Sequence, residues 1–278
     1  MVNDSAEQPA LIIERSNAVL TLTLNRPRRK NALSGDVVMA LADEILAAGV
    51  DDDTRVVLIR AAGDDFCTGM DLAPPPQTSM DGAPATPPAK PRIGHLQRSF
   101  QLGPHRLIAN MEQAQVPIVA AVRGWAAGFG NALALSADFV IASETAKFWV
   151  PFVTKGFTPD SGNSWILPRL VGLARAKQMV MRGQPVDGAT AAAWGLVADC
   201  VPDEDLDGTV ETLVAELAAA ATTSVGFAKM LLHRNLEVGL ATALQIEGVT
   251  EEVAVRSDDF KEGMRAFAQK RDPGYTGR

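Results

Sequence analysis

The run Val56-Val57-Leu58-Ile59, closed by Arg60, restricts this chain more than any other feature. Consecutive strand residues point to opposite sides, so four apolar side chains in a row demand cover on both faces of the sheet. Sheets covered on both faces are built from parallel strands, and parallel strands need long crossover connections. The flanking segments provide them. Leu11–Arg15 and Val19–Leu24 read as two short strands about a Ser16-Asn17 turn, the second rich in β-branched Val19, Thr21 and Thr23. Ser34 is placed to cap a helix over 35–49 that sets Val38, Leu41, Ile45 and Leu46 on one face. Strand, helix, strand in this order predicts a right-handed crossover unit.

The pattern continues. A helix is predicted over 96–113, a strand at Ile118–Val122, a Gly-rich turn over 124–130, an Ala/Leu helix ending near Ala137, and a strand at Asp138–Ala142. After Pro168 helical spacing dominates, near 173–182, 187–194, 206–221, 224–238 and 242–270. The organisation expected is an α/β core over 1–200 and a helical region over 201–278. One stretch breaks the rhythm. Seven prolines between Pro74 and Pro91 exclude both helix and strand over 73–92. A flexible surface loop and a lid over a site both fit.

Charge and cysteine content narrow the function classes. Basic residues number 26 against 33 acidic, a net charge of −7, which disfavours a nucleic-acid partner. No apolar run reaches the roughly 18 to 20 residues of a membrane span. The opening Met1-Val2-Asn3-Asp4-Ser5 has no basic stretch followed by an apolar one, so the expectation is a cytoplasmic protein. Cys67 and Cys200 form neither a CxxC pair nor a cluster with the three histidines, so neither a disulfide framework nor a metal site is expected.

Two Gly-containing turns each read as joining a strand to a helix start: Phe66-Cys67-Thr68-Gly69-Met70-Asp71-Leu72 and Gly124-Trp125-Ala126-Ala127-Gly128-Phe129-Gly130. Unpaired amides at helix starts bind a carbonyl oxygen more strongly as it gains negative charge. Spacing alone does not separate such a pair from ordinary turns of an α/β fold.

The blocks around these turns carry a resemblance. Asn25-Arg26-Pro27, Asn31-Ala32-Leu33-Ser34, the two Gly turns, Pro117-Ile118-Val119-Ala120-Ala121-Val122, Ala137-Asp138, Leu167-Pro168-Arg169-Leu170-Val171-Gly172, Trp194-Gly195-Leu196-Val197 and Phe260-Lys261-Glu262-Gly263-Met264 follow one another in an order that resembles the crotonase (enoyl-CoA hydratase/isomerase) superfamily over about residues 11–278. The resemblance implies a spiral of ββα repeats with a C-terminal helical trimerisation region, assembly as a homotrimer or a hexamer of two trimers, and a substrate carried as a CoA thioester with no separate cofactor. It places the two carbonyl-binding amides on Thr68 and Phe129. It places the CoA moiety against Lys30, Ala32, Leu33, Phe66, Met70, Leu72 and Gly128, with Phe267 and Lys270 covering it from a neighbouring subunit. Phe129 stands where the family often has glycine, which could narrow the acyl channel. The basic residues of 261–278 suit a phosphate or a solvated helix face.

Departures from the family pattern are informative. The positions of the two hydratase glutamates fall on Ala132 and Phe152, neither of which moves a proton. Asp160, within Pro159-Asp160-Ser161-Gly162-Asn163, resembles the aspartate of the epoxyphenylacetyl-CoA and enoyl-CoA isomerase branch. Apolar Phe152, Phe157, Trp149 and Trp165 nearby in sequence would raise its pKa. Read from the residues alone, Asp160 is either a base or a helix N-cap. The functions open at this point are double-bond or epoxide isomerisation with Asp160 as proton shuttle, enoyl-CoA hydration, nucleophilic attack by the same aspartate as in aroyl-CoA dehalogenases, and acyl-CoA binding without turnover. His95, His105 and Glu144 are expected at the surface, Cys67 in packing, and Asp71 and Asp138 bonded to turn amides.

Overall fold

The computed structural model describes residues 9–72 and 91–278. The reading of 73–92 as loop or lid therefore lies, except for Pro91 and Arg92, outside the described residues. In chain order the strands are β1 (Leu11–Ser16), β2 (Val19–Leu24), β3 (Val56–Ala61), β4 (Ile118–Val122), β5 (Trp125–Ala127), β6 (Phe139–Ser143), β7 (Lys147–Trp149), β8 (Val186–Asp187) and β9 (Asp199–Val201). The helices are α1 (Gly35–Ala48), α2 (His95–Leu102), α3 (Pro104–Gln113), α4 (Phe129–Leu135), α5 (Asn163–Arg182), α6 (Gly188–Trp194), α7 (Leu206–Ala219), α8 (Thr222–Asn235), α9 (Leu240–Ala254) and α10 (Asp258–Gln269).

The main sheet runs β1-β2-β3-β4-β6-β9, with β1 antiparallel to β2 and every later pair parallel. The β1–β2 reversal uses Asn17 and Ala18, both left-handed at φ 52° and 64°, and Ser16 still pairs with Val19. That two-residue geometry matches the twist of the strands it joins, so the turn lies one residue later than the sequence suggested.

β3 shows why both faces need cover. Val57 and Ile59 enter a core with Leu20, Leu22, Val38 and Leu41, while Val56 and Leu58 enter a second core with Val119 and Ile141. Full burial of each such side chain is worth about 1.5–3 kcal/mol. α1 and α3 close the first face, and Leu206, Val210 and Val214 of α7 close the second. The first helix beyond residue 200 thus completes the core of the sheet. Leu46, expected on the packed face of α1, is instead 52% exposed.

Sequence periodicity missed breaks and very short strands. The helix expected over 96–113 divides at Gly103-Pro104, where proline takes the first turn of α3. The run 242–270 divides before Ser257, whose hydroxyl caps α10 by accepting the Phe260 amide at 3.0 Å. α5 starts ten residues before the predicted 173 and contains both Pro168 and a break at Gly172, φ 73° and ψ 162°. A second sheet, β5-β7-β8, arises from strands of only two or three residues, too short to show a period.

Candidate active site

Parallel β3 and β4 are neighbours, so the two Gly turns leave the same edge of the sheet. Backbone bonds then bind one turn to the other. The Phe66 amide donates to the Arg123 carbonyl at 2.9 Å, Cys67 to Trp125 at 2.8 Å, and Ala127 back to Cys67 at 2.9 Å. Two glycines permit this approach. A methyl on Gly130 would fall 2.2 Å from the Cys67 carbonyl oxygen, and one on Gly69 (φ 96°) would lie 3.0 Å from the Ala127 oxygen and 3.3 Å from the Phe129 nitrogen.

The expectation that Thr68 supplies one carbonyl-binding amide fails on hydrogen bonding. Its N–H donates to the Lys30 carbonyl at 3.1 Å, and its hydroxyl reaches the same oxygen at 3.2 Å. A parallel bridge pairs Leu33 with Met70 by bonding the Leu33 N–H to Gly69 and the Asp71 N–H to Leu33, each at 2.8 Å. In such a bridge the N–H of the central residue points away from the partner strand. The Met70 amide is that group, and among the described residues neither it nor the Phe129 amide has an acceptor. Gly69, between Thr68 and Met70, is the residue beside the Phe129 nitrogen. The pair able to receive an oxygen is therefore Met70 and Phe129.

Across from Phe129, residues 156–162 carry Asp160 to the start of α5. Ser161 and Gly162 are both left-handed, φ 52° and 86°, and Gly162 occupies the N-cap position. The Asp160 carboxylate caps nothing there; its main-chain carbonyl accepts the Asn163 N–H and Nδ2, each at 3.0 Å. Its Oδ1 is buried and has no partner among the described residues. Burial raises the carboxyl above its ordinary pKa, against the Ser161 hydroxyl and the charge of His105, which favour ionisation. His105, expected only as a surface histidine, is exposed but lies close enough for Asp160 to feel its charge.

The aromatic residues expected near Asp160 each have partners or exposure of their own. Trp149 donates its Nε1–H to the Gly183 carbonyl at 2.6 Å and tilts against Trp125, ring centres 5.4 Å apart. Trp165 stacks under the Arg169 guanidinium at 3.9 Å, and Phe157 is 58% exposed. Phe152 borders the Gly turn, with a methyl on Gly128 reaching 3.8 Å from its Cζ. A cavity of about 450 Å³ runs between Ile108, Ile166, Lys229 and His233. Ile108 and Ile166 also pack beside Gly162, and neither Asp160 nor Phe129 lines the cavity.

The remaining expected contacts divide by exposure. Leu33 and Phe66 are core residues, buried in the main cluster. Phe129 is equally buried, so its ring packs in the core. Lys30 is left-handed (φ 48°) and pairs with Asp65 at 3.1 Å; Ala32 passes its carbonyl to Arg26. Gly128, φ 57°, donates its N–H to the Trp149 carbonyl at 2.9 Å. Met70 is partly buried and Leu72 is exposed. Phe267 and Lys270 lie exposed at the end of α10. The basic residues around them are partnered locally: Lys261 with Asp258, and Arg265 and Arg271 with Glu262, whose carboxyl is lowered to about 2 chiefly by Arg271. Asp71 bonds Arg26 and Arg29 at 2.9 Å rather than turn amides alone. Asp138 does accept the Ile118 amide at 2.8 Å, but also the Lys229 ammonium. Among the described residues no cluster of His, Cys, Asp or Glu could hold a metal.

Residues 14–278 match the family model described as enoyl-CoA hydratase/isomerase. The chain belongs to that family. Relatives of this hydratase/isomerase-family chain carry both kinds of name. It is 36% identical to the 1,2-epoxyphenylacetyl-CoA isomerase of Escherichia coli K12, over 94% of this chain and 95% of that one. It is 33% identical to the 2,3-dehydroadipyl-CoA hydratase of the same organism, over 96% and 99%. A solved enoyl-CoA hydratase from Bacillus anthracis superposes with a TM-score of 0.86 at 29% identity, covering 97% of this chain and all of that one. The chain is thus an acyl-CoA enzyme of the hydratase/isomerase family with the crotonase fold.

Sequence reasoning missed Met70 as an amide donor and missed Asn131 and Asn163 altogether. Only the first is invisible in sequence, since a backbone direction depends on register. Asn131 had a signal: an amide in the middle of the apolar run Phe129–Leu135 needs a partner if that helix is buried. It is buried, and its Nδ2 donates to Asn163 Oδ1 at 2.8 Å. Ala132 is fully buried on the same helix, and Cys67, packed beside Gly130, has its thiol raised to about 12 by burial, which makes it inert.

Proposed function

We propose that this enzyme shifts the double bond of an enoyl-CoA thioester, with Asp160 carrying the proton. The thioester oxygen sits between the Met70 and Phe129 amides. Asp160, as carboxylate, takes a proton from the α-carbon of a β,γ-unsaturated thioester, and the electrons move into a dienolate whose charge rests on that oxygen. The same carboxyl then returns the proton at the γ-carbon, which leaves the conjugated α,β isomer. One observation carries this reading: Asp160 has a half-buried carboxyl with an unpartnered oxygen and a raised pKa, on the loop leading to Asn163, whose Nδ2 reaches the Gly128 carbonyl at 3.4 Å. A base of this kind needs a pKa brought up toward the working pH. Hydration needs a second group to activate water, and Ala132 and Phe152 provide none.

The test is conversion of a β,γ-enoyl-CoA, followed by the rise in conjugated thioester absorbance. Wild type converts it, and Asp160→Asn binds the thioester yet does not. Conversion by Asp160→Asn at the wild-type rate overturns the assignment, as does fast hydration of crotonyl-CoA by wild type.

The proposal extends to assembly. Leu240, Leu244, Val249 and Val253 of α9 stand more than half exposed. We propose that they are buried in a trimer, or in a hexamer of two trimers. Phe267 at 82% exposure would then lie against the neighbour's CoA. Sedimentation at dilute concentration checks this: a monomer would remove the idea.

A further inference from the structure

Two asparagines are buried where apolar residues would be expected: Asn131 in α4 and Asn163 at the start of α5. A buried amide is costly unless its hydrogen bonds are made. These bonds run in one direction. Asn131 Nδ2 donates to Asn163 Oδ1 at 2.8 Å, and Asn163 Nδ2 donates to the Asp160 carbonyl at 3.0 Å and, in a longer contact, to the Gly128 carbonyl at 3.4 Å. Carbonyls only accept, which fixes the end of the Asn163 amide that faces them. Asn131 must then present its NH₂ group, and its own Oδ1 is left buried without a partner among the described residues.

The two carbonyls held by Asn163 are informative. The Gly128 C=O and the Phe129 N–H belong to one rigid peptide plane, pointing in opposite directions. That oxygen also accepts the Ala132 N–H of α4 at 3.3 Å, so the Asn163 NH₂ is a second donor on it; donors there orient the plane and polarise the amide at its other end. The same NH₂ group holds the residue bearing the carboxyl. Asn163 therefore couples the direction of the Phe129 amide to the placement of the Asp160 side chain.

We propose that Asn163, itself held by Asn131, is the positioning residue that keeps the Asp160 carboxyl in register with the Phe129 amide. The proposal rests on the reading of Asp160 as proton carrier. A purely structural role would affect folding and leave the proton chemistry alone.

The experiment compares wild type, Asn163→Ala and Asn131→Ala in three measurements. These are α-proton exchange of a saturated acyl-CoA in deuterated water, affinity for that thioester, and titration of the Asp160 carboxyl by carbon-13 NMR. Asn163→Ala is expected to slow exchange at least tenfold, to change affinity less than threefold, and to bring the Asp160 titration back toward the ordinary carboxylate range. Asn131→Ala should move the same quantities in the same direction by less. It also removes the unpartnered oxygen, so it decides the matter if Asn163→Ala does not fold. Folded variants with wild-type exchange and an unmoved titration overturn the proposal. Equal losses of affinity and rate with an unmoved titration overturn it too. Should wild type itself catalyse no exchange, the proton-carrier reading fails, and the titration alone decides the positioning: a shift in the variants supports it and no shift refutes it.

Discussion

Asp138 and Asp160 are both sheltered carboxylates at the start of secondary structure, and their surroundings differ in kind. Asp138, at the entry to β6, accepts the Ile118 amide and the Lys229 ammonium, each at 2.8 Å. Lys229 is itself buried and gives further bonds to the Met111 and Val116 carbonyls at 2.7 and 3.4 Å. Burial pulls the Lys229 pKa down and the Asp138 charge opposes that. Asp160, at the entry to α5, keeps a buried oxygen with no partner and a pKa raised by burial. A carboxylate bonded to a buried ammonium and a strand amide ties helices to a sheet. One with a buried, unbonded oxygen costs stability and stays able to exchange a proton.

The contrast is sharpest in activity. Asp160→Asn keeps the shape of the loop and is expected to lower isomerase turnover by about 10²- to 10⁴-fold, the usual worth of a positioned acid–base group. Lys229→Met keeps the apolar stem but leaves Asp138 without its cation. Breaking a buried pair by removing one partner costs about 3–5 kcal/mol, and denaturant unfolding should show it. Turnover per folded molecule should be near normal, and a large loss there would erase the distinction between the two aspartates.

A smaller effect concerns pH. In the unfolded chain Asp160 titrates in the ordinary carboxylate range; in the fold its pKa is higher. Its favourable contribution is complete below the unfolded value and is lost as pH rises through the folded one. Asp160→Asn should therefore melt above wild type at neutral pH, with the gap closing in acid. A gap independent of pH would mean that ionisation of Asp160 is not its source. Wild-type turnover should rise over the same window as the carboxylate forms.

Asp187 gives the smallest effect and serves as a control. Its carboxylate caps α6 by accepting the Thr190 amide at 2.7 Å, and that bond lowers its pKa. Asp187→Ala should cost about 1 kcal/mol at neutral pH and leave turnover unchanged. Because a lowered pKa stabilises only above the unfolded value, the loss should shrink as pH falls through the folded one. The three aspartates thus separate a cap, a tie and a proton carrier by measurement.

Much of this arrangement was legible in the chain. Val56–Ile59 demanded two covered faces because adjacent strand residues point opposite ways, and Val57 and Val56 do enter different cores. The Ile118–Val122 strand and the family blocks were readable for the same reason: periodicity and motif order are properties of the chain. The cap reading of Asp160 was open in sequence because Pro-Asp-Ser-Gly precedes a helix in either case. It closed only when Ser161 and Gly162 were seen to be left-handed, which moves the helix start past the aspartate. That Phe66 and Leu33 are buried in the core was not legible, because a motif says which residues are near a site, not which way they face.

Amino-acid order alone determined the parallel α/β core, the family, and the absence of titratable side chains at Ala132 and Phe152, because these follow from side-chain type and spacing. Tertiary structure decided which amides are free and which carboxylate keeps a buried oxygen without a partner among the described residues. The Thr68 N–H meets the Lys30 carbonyl while the Met70 N–H meets no acceptor among the described residues, and Asp138 meets a lysine and a strand amide where Asp160 has the Ser161 hydroxyl and a buried oxygen without a partner. Hydrogen bonds depend on direction over fractions of an ångström, and such directions are set by strand register and by residues far apart in the chain.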